Sequence, residues 1–212
     1  MRQIVTTTTG GIDVLKVQQK PDPTPRDDQV LIRVRAAGLN FADILSRQGL
    51  YPDSPPKPCV MGYEVSGVVE AVGKEVNSSF AGRSVAAMTR FGGQSDLVAV
   101  KATQIFEKPE KLTFEQAAAI PVNYLTAYAL LVVMGSLHAG ESVLIHNAGG
   151  GVGLAAIDIA KKIGAVTYGT ASPGKHKFLA ERGLDHAIDY RKQDWLPVLK
   201  DMTNGRGVDL VI

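Results

Sequence analysis

The run Ser142-Val-Leu-Ile-His-Asn-Ala-Gly-Gly-Gly-Val-Gly-Leu-Ala-Ala-Ile-Asp-Ile-Ala-Lys-Lys-Ile-Gly164 decides the fold. Val143, Leu144 and Ile145 form a continuous apolar run, which suits a parallel strand buried on both faces. Ala148 to Gly153 is a tight turn dominated by glycine. Beyond Val152 the residues Ala155, Ala156, Ile159, Ala160 and Ile163 fall on one helical face. Gly164 then offers the positive φ that ends many helices. Strand, glycine turn and helix in this order are the setting of a dinucleotide fingerprint. Read as G-x-G-x-x-G, its three positions are Ala148, Gly150 and Gly153. Gly150 lets the backbone approach a pyrophosphate, and Gly153 lets the helix pack closely on the strand. The free N–H groups of the first turn, Gly151 and Val152 among them, face the phosphates at the positive end of the helix. Ala148 departs from the first glycine but is small enough for a similar turn. The competing reading is an ordinary strand-to-helix connection. The strand before the turn and the amphipathic helix after it favour the nucleotide site.

Downstream, the pattern predicts a strand over 165–170, a helix over 175–182 and a strand over 186–189. A helix over 195–202 and a strand over 208–212 follow. This is a parallel sheet being wound, and the chain stops after the first half of a doubly wound domain, as a fragment would. Upstream, Thr113-Phe-Glu-Gln116 is a capping box opening a helix that Pro121 interrupts. A second apolar helix runs from Asn123 to Met134. Before residue 113 the signals are short: Ile4–Thr9, Val14–Gln19, an alternating strand at Val30–Ala36, and strands at 64–72, 84–88 and 95–100. Gly67 marks a bulge or a close backbone contact in the strand at 64–72. Asn40 and Gly49 bracket a short helix as cap and stop. The fold class is α/β, with an all-β barrel-like domain over 1–120 followed by the truncated parallel domain over 121–212.

The totals exclude several functions. Of 212 residues, 23 are Lys or Arg and 21 are Asp or Glu, so a formal charge of +2 indicates neither a nucleic-acid surface nor a polybasic membrane patch. The single cysteine, Cys59, excludes an internal disulfide framework and any zinc site built on several thiolates. No signal peptide is visible at Met1, and apolar runs such as Leu125–Met134 are read as too short to span a bilayer. A soluble, cytoplasmic setting is expected.

Taken together, the chain resembles the medium-chain dehydrogenase/reductase superfamily over essentially its whole length. The likeness is strongest to its zinc-free quinone oxidoreductase group. Gly38-Leu-Asn-Phe-Ala-Asp43, Arg47-Gln-Gly-Leu-Tyr51, Asn123-Tyr-Leu-Thr-Ala-Tyr128 and Gly169-Thr-Ala-Ser172 with Lys175-His176 look most like the synaptic vesicle membrane protein homologue branch. The resemblance implies a GroES-like β-barrel catalytic domain, a Rossmann domain, an active site in the cleft between them, and a homodimer at full length. Zinc-dependent relatives carry a metal-binding Cys where this chain has Asn40, and Gly-His-Glu where it has Gly62-Tyr63-Glu64. Neutral Asn and Tyr substitute poorly for thiolate and imidazole on zinc, so no metal is expected. Met61-Gly62 and Gly82-Arg-Ser-Val85 also depart from the family pattern, at turns.

The end of the second Rossmann strand decides the cofactor. An NAD site places an acid on the ribose about 20 residues past the glycines. Here Tyr168 to Lys177 holds no acid, and Ser172 and Lys175 are placed for a 2′-phosphate, which favours NADPH. The alternative is a solvated basic helix start, although lysines there oppose the helix dipole. By resemblance, Tyr190 lies by the adenosine phosphate and Thr126 contacts cofactor, while a helical threonine also bonds its own backbone. Asn40 is a helix cap by its residues alone, and the resemblance adds a place near the nicotinamide. Tyr51 matches a tyrosine lining the family's cleft, or anchors the proline-rich loop after it. Glu64 reads as structural. The function expected is hydride transfer from NADPH to a quinone or α,β-unsaturated carbonyl. The rival is a dinucleotide-binding, membrane-associated factor with little turnover. No basic aromatic patch supports RNA binding.

Overall fold

Short β-branched runs separated by glycine and proline build the first unit, Met1–Val122, from antiparallel strands. The structure is a computed structural model describing residues 1–192 and 194–212. Strands β1 (Arg2–Thr6), β2 (Leu15–Gln19) and β3 (Gln29–Ala37) precede helix α1 (Phe41–Gln48). Then come β4 (Cys59–Val60), β5 (Glu64–Val72), β6 (Ser84–Met88), β7 (Leu97–Lys101), β8 (Ile105–Glu107) and the short helix α2 (Phe114–Ala118). One sheet runs β7-β3-β5-β6-β8 and a smaller one β2-β1-β4. The core of the larger sheet is mostly valine: Val30, Val65, Val69, Val85, Val98 and Val100, with Ile32 and Ala87. A Cβ on Gly67 would lie 2.1 Å from the Arg33 carbonyl oxygen, and the β3–β5 register slips between Val34 and Ala36 beside it. Bulge and close contact, posed as alternatives from sequence, occur together.

The first hairpin differs from the sequence reading. β1 ends at Thr6: Thr7 N–H still donates to the Val14 carbonyl at 3.1 Å, but Val14 N–H turns to the Gly11 carbonyl at 3.4 Å and leaves the ladder. A single 3-10 turn, Ile12–Val14, then leads into β2. The capping box before α2 is present as expected: Gln116 N–H donates to Thr113 Oγ1 at 3.2 Å, and Thr113 N–H to Gln116 Oε1 at 3.0 Å.

Helix α3 (Pro121–Tyr128) starts at the proline, which at a helix start has no N–H to lose. It continues as a π-helical stretch, Ala129–Met134. The second unit, Asn123–Ile212, then winds β9 (Ser142–Ile145), α4 (Gly151–Ile163), β10 (Val166–Ala171), α5 (Pro173–Glu181), β11 (His186–Asp189), α6 (Trp195–Met202) and β12 (Leu210–Val211). All pairings are parallel, in the order β11-β10-β9-β12. That is the 3-2-1-4 order of a Rossmann half, with its switch point beside β9. Ala155, Ala156, Ile157 and Ala160 of α4 are buried against β9, and Gly164 closes the helix at φ 89°. β12 is shorter than the expected 208–212, but its backbone bonds to β9 run on at both ends: Asp209 N–H donates to the Ser142 carbonyl at 3.0 Å, and Ile212 N–H to the Leu144 carbonyl at 2.9 Å.

One expectation is corrected. Taken together, Phe114–Met134 is 21 residues long and apolar enough to cross a membrane by length and composition alone. Reading Pro121 as a stop had divided the run into pieces too short to count. The helical run pauses only at Ala119 and Ile120 before resuming at the proline.

Candidate functional site

The cofactor candidates gather on one edge of the parallel sheet because every strand there points the same way. The glycine turn follows β9, Ser172 and Lys175 follow β10, and Tyr190 follows β11. Asn147 enters the turn in the left-handed region at φ 50°, which asparagine tolerates better than most residues. Thr170, buried on β10, holds it there. Its Oγ1 accepts from Asn147 N–H at 3.1 Å, and its carbonyl accepts from Ala148 N–H at 3.1 Å. Gly150 caps α4, and the first-turn amides of Gly151, Val152 and Gly153 have no acceptor within the helix by geometry.

A Cβ at Gly153 would come within 2.6 Å of the Asn147 carbonyl oxygen and 2.7 Å of Ala148 backbone atoms. Backbone gives way least, so helix and strand approach this closely only through glycine. At Gly150 the nearest atom would be Asn147 Nδ2 at 2.7 Å, and at Gly151 it would be Asn123 Oδ1 at 2.4 Å. The glycines let the turn's own atoms pack this tightly, and the first-turn amides at the N-terminal end of α4 are the donors that a dinucleotide pyrophosphate would need.

Lys175, the third residue of α5, reaches back over this turn and donates to the Gly149 carbonyl at 3.2 Å. Ser172 is the N-cap of α5, and its hydroxyl makes no capping bond. His176 Nε2 lies 3.1 Å from the Ala171 carbonyl, tying the helix start to the strand end. Tyr190 is half-exposed just past β11. Thr126 is exposed on α3, and the side chain that α3 sets against the turn is Asn123, one turn earlier. Asn123, Asn147 and Thr170 were missed from sequence. The only signal was a polar residue beside, or inside, an otherwise apolar strand and turn.

In the first unit, Asn40 stands at the N-cap of α1, where Asp43 accepts its N–H at 2.8 Å. The Asn40 side-chain amide donates to Glu64 Oε1 at 3.0 Å, and Val122 N–H to Glu64 Oε2 at 2.8 Å. Glu64 is therefore a buried clamp, in keeping with its structural reading. Burial pushes its carboxyl above the ordinary value of 4.5, against those two hydrogen bonds, and burial also raises Asp43. A raised folded value means the native state holds the proton more tightly than the unfolded chain. That part of the stability is present below pH 4.5 and is lost as pH rises through the folded value. Glu64→Gln keeps the shape and removes the ionisation. Urea midpoints of the variant from pH 4 to 7 are expected to decline less than the parent's; identical slopes would show that Glu64 titrates alike in both states.

Tyr51 sits on the proline-rich loop after α1, its ring 6.3 Å from that of Tyr63 and nearly perpendicular to it. The loop is pinned by a network that sequence did not suggest. Lys57 Nζ donates to Ser46 Oγ on α1 at 3.0 Å and to Ser54 Oγ at 2.7 Å. Ser54 N–H in turn donates to the Tyr51 carbonyl at 3.1 Å. Among the described residues no group of three or more His, Cys, Asp or Glu side chains is arranged to hold a metal ion.

The alcohol dehydrogenase GroES-like domain family matches residues 26–110, and the zinc-binding dehydrogenase family matches residues 151–212. The chain is 46% identical over 215 residues to the synaptic vesicle membrane protein VAT-1 homolog of Rattus norvegicus, covering 100% of this chain and 53% of that protein. The crystal structure of the human synaptic vesicle membrane protein VAT-1 homolog-like protein superposes with a TM-score of 0.93 at 36% identity. It covers 100% of this chain and 67% of that one. The chain belongs to the medium-chain dehydrogenase/reductase family. Within that family it lies in the VAT-1 branch. The crystal structure of the Escherichia coli quinone oxidoreductase complexed with NADPH gives a TM-score of 0.90 at 33% identity, over 98% of this chain and 64% of that one. The chain spans about half the length of the curated family members it matches. The two matched families coincide with the GroES-like and Rossmann-type architecture described above.

Proposed function

We propose that the full-length protein is an NADPH-dependent, zinc-independent oxidoreductase that reduces quinones or α,β-unsaturated carbonyls. The observation that carries this reading is the backbone cradle of Gly150, Gly151 and Gly153 with Lys175 drawn onto it and no acid at the end of β10. The first-turn amides would hold the pyrophosphate, and Ser172 and Lys175 would give a 2′-phosphate a charge-assisted contact that NADH lacks. The NADPH complex of the Escherichia coli quinone oxidoreductase supports the same cofactor choice.

Bound NADPH would supply the hydride from nicotinamide C4. This chain's part is to hold the acceptor and its charge. Tyr51 donates a hydrogen bond to the acceptor's carbonyl oxygen, Asn40 offers its second amide hydrogen, and water returns the proton. No zinc enters this scheme, because Asn40 and Tyr63 are poor ligands. The reading carries with it a cytoplasmic, homodimeric protein with a small-molecule substrate.

A second reading rests on a different observation. Leu125, Tyr128, Val133 and Met134 are exposed along the 114–134 stretch, Met134 to 76%. An apolar face of this kind suits a dinucleotide-binding protein that associates with membranes and turns over little. Turnover on a panel of quinones and enones, measured with chelator-dialysed full-length protein, separates the two. Substrate-dependent NADPH oxidation that survives chelation is expected. NADPH binding without turnover would favour the second reading, and activity lost with stoichiometric zinc would contradict the first.

A further inference from the structure

Tyr63 stands immediately before β5 on backbone that is fixed from both sides. Thr89 N–H donates to the Tyr63 carbonyl at 2.7 Å, and Thr89 Oγ1 to the Gly62 carbonyl at 2.6 Å. Gly62 N–H donates to buried Asp43 at 2.9 Å. The ring then packs between Phe91, at 5.6 Å, and Tyr51, at 6.3 Å. In this rigid setting the Tyr63 hydroxyl is shielded from solvent and has no hydrogen-bond partner among the described residues. Two other buried hydroxyls, Thr6 and Ser95, share that condition, but neither belongs to this aromatic cluster. Buried polar groups are nearly always paired, so an orphan phenol calls for an acceptor that arrives with a ligand.

We propose that the Tyr63 hydroxyl is a second hydrogen-bond donor to the carbonyl oxygen of the acceptor, working beside Tyr51. The inference rests on the reductase reading above and deepens it at the same site. A carbonyl oxygen has two lone pairs and can accept from two donors, and the Tyr51 and Tyr63 rings lie 6.3 Å apart in one aromatic cluster. Bound NADPH would supply two electrons as hydride to the electrophilic carbon, and both tyrosine hydroxyls would hold the negative charge that then develops on that oxygen. The enolate or quinol oxygen then takes its proton from water, and both tyrosines stay protonated. Burial, with the nearby Tyr51, Asp43, Asp53 and Cys59 adding to it, pushes the Tyr63 phenol up to about 12. Such a phenol remains a hydrogen-bond donor at every working pH and is a poor source of the proton itself.

Tyr63→Phe separates this role from a structural one by sign. A hydroxyl that serves the fold would lower the melting temperature on removal, whereas an orphan hydroxyl leaves it unchanged or raises it. In full-length protein, Tyr63→Phe is expected to keep or raise the melting temperature and NADPH affinity while kcat/KM on a quinone or enone falls roughly 10- to 100-fold. A lower melting temperature, or turnover equal to the parent's, would overturn the proposal. Tyr51→Phe, assayed alongside, tells the failures apart. Loss at Tyr51 with none at Tyr63 leaves the reductase reading intact and removes Tyr63 from it. Absence of turnover in the parent removes the reading and this inference together.

Discussion

Tyr51→Phe is expected to lower kcat by about 10²–10³ while NADPH binding stays at the parent value, because a donor aimed at an oxyanion acts mainly on the transition state. The substitution keeps the ring, its edge-to-face contact with Tyr63, and the loop pinned by Lys57, Ser46 and Ser54. Only the hydroxyl goes, so the loss reads as chemistry and not as packing. Asn40→Ala is a poorer probe, since it also strips the N-cap of α1 and one bond to the buried Glu64. Steady-state kinetics on any accepted substrate decide the matter. A Tyr51→Phe protein that turns over like the parent makes that hydroxyl a bystander and leaves Tyr63 and Asn40 as the donors to examine.

Lys175→Ala is expected to weaken NADPH binding about 10- to 100-fold, as loss of one charge-assisted hydrogen bond of roughly 1.5–3 kcal/mol implies. NADH binding should barely move, because the contact is to the 2′-phosphate alone. The side chain is exposed and its one bond is to the Gly149 carbonyl, so its removal leaves the turn's own hydrogen bonds in place. Isothermal titration with both cofactors gives the answer. Equal losses for NADPH and NADH would mean that Lys175 supports the cradle's shape, or that the 2′-phosphate lies elsewhere.

The residues that made the fold legible were those whose spacing or backbone preference has one interpretation. Val143–Ile145, the glycine turn and the helical face ending at Gly164 specify strand, cradle and helix without help from distant parts of the chain. Thr113 likewise marks a helix start by local chemistry, whereas Pro121, read as an interruption, opens α3. The π-helical turn at Ala129–Met134 was not legible, because an apolar run carries no signal for a change of hydrogen-bond register. Nor were the limits of β12, which depend on partners in β9 that lie 67 residues away in sequence. The same reason hides parts of the site. Lys57, Ser46 and Ser54 look like ordinary surface residues until the loop folds onto α1. The sequence marks Tyr63 only as a replacement for a zinc ligand; that its hydroxyl is buried with no partner among the described residues shows only in the fold. Ser172 and Lys175 stand out in the sequence because an expected acid is missing near them, a contrast that needs only the fingerprint as reference, and the structure sets both at the start of α5.

The central claim is that this chain's cradle and tyrosines serve hydride transfer from NADPH to a carbon acceptor. The most direct measurement follows the label: full-length protein, NADPH deuterated at nicotinamide C4, and an enone from the panel, with the product examined by mass spectrometry and NMR. Deuterium carried to the carbon β to the carbonyl, from one face of the nicotinamide only, is the result this account predicts. Product that forms without deuterium at that carbon, or NADPH that binds and keeps its label with every acceptor tried, would contradict it.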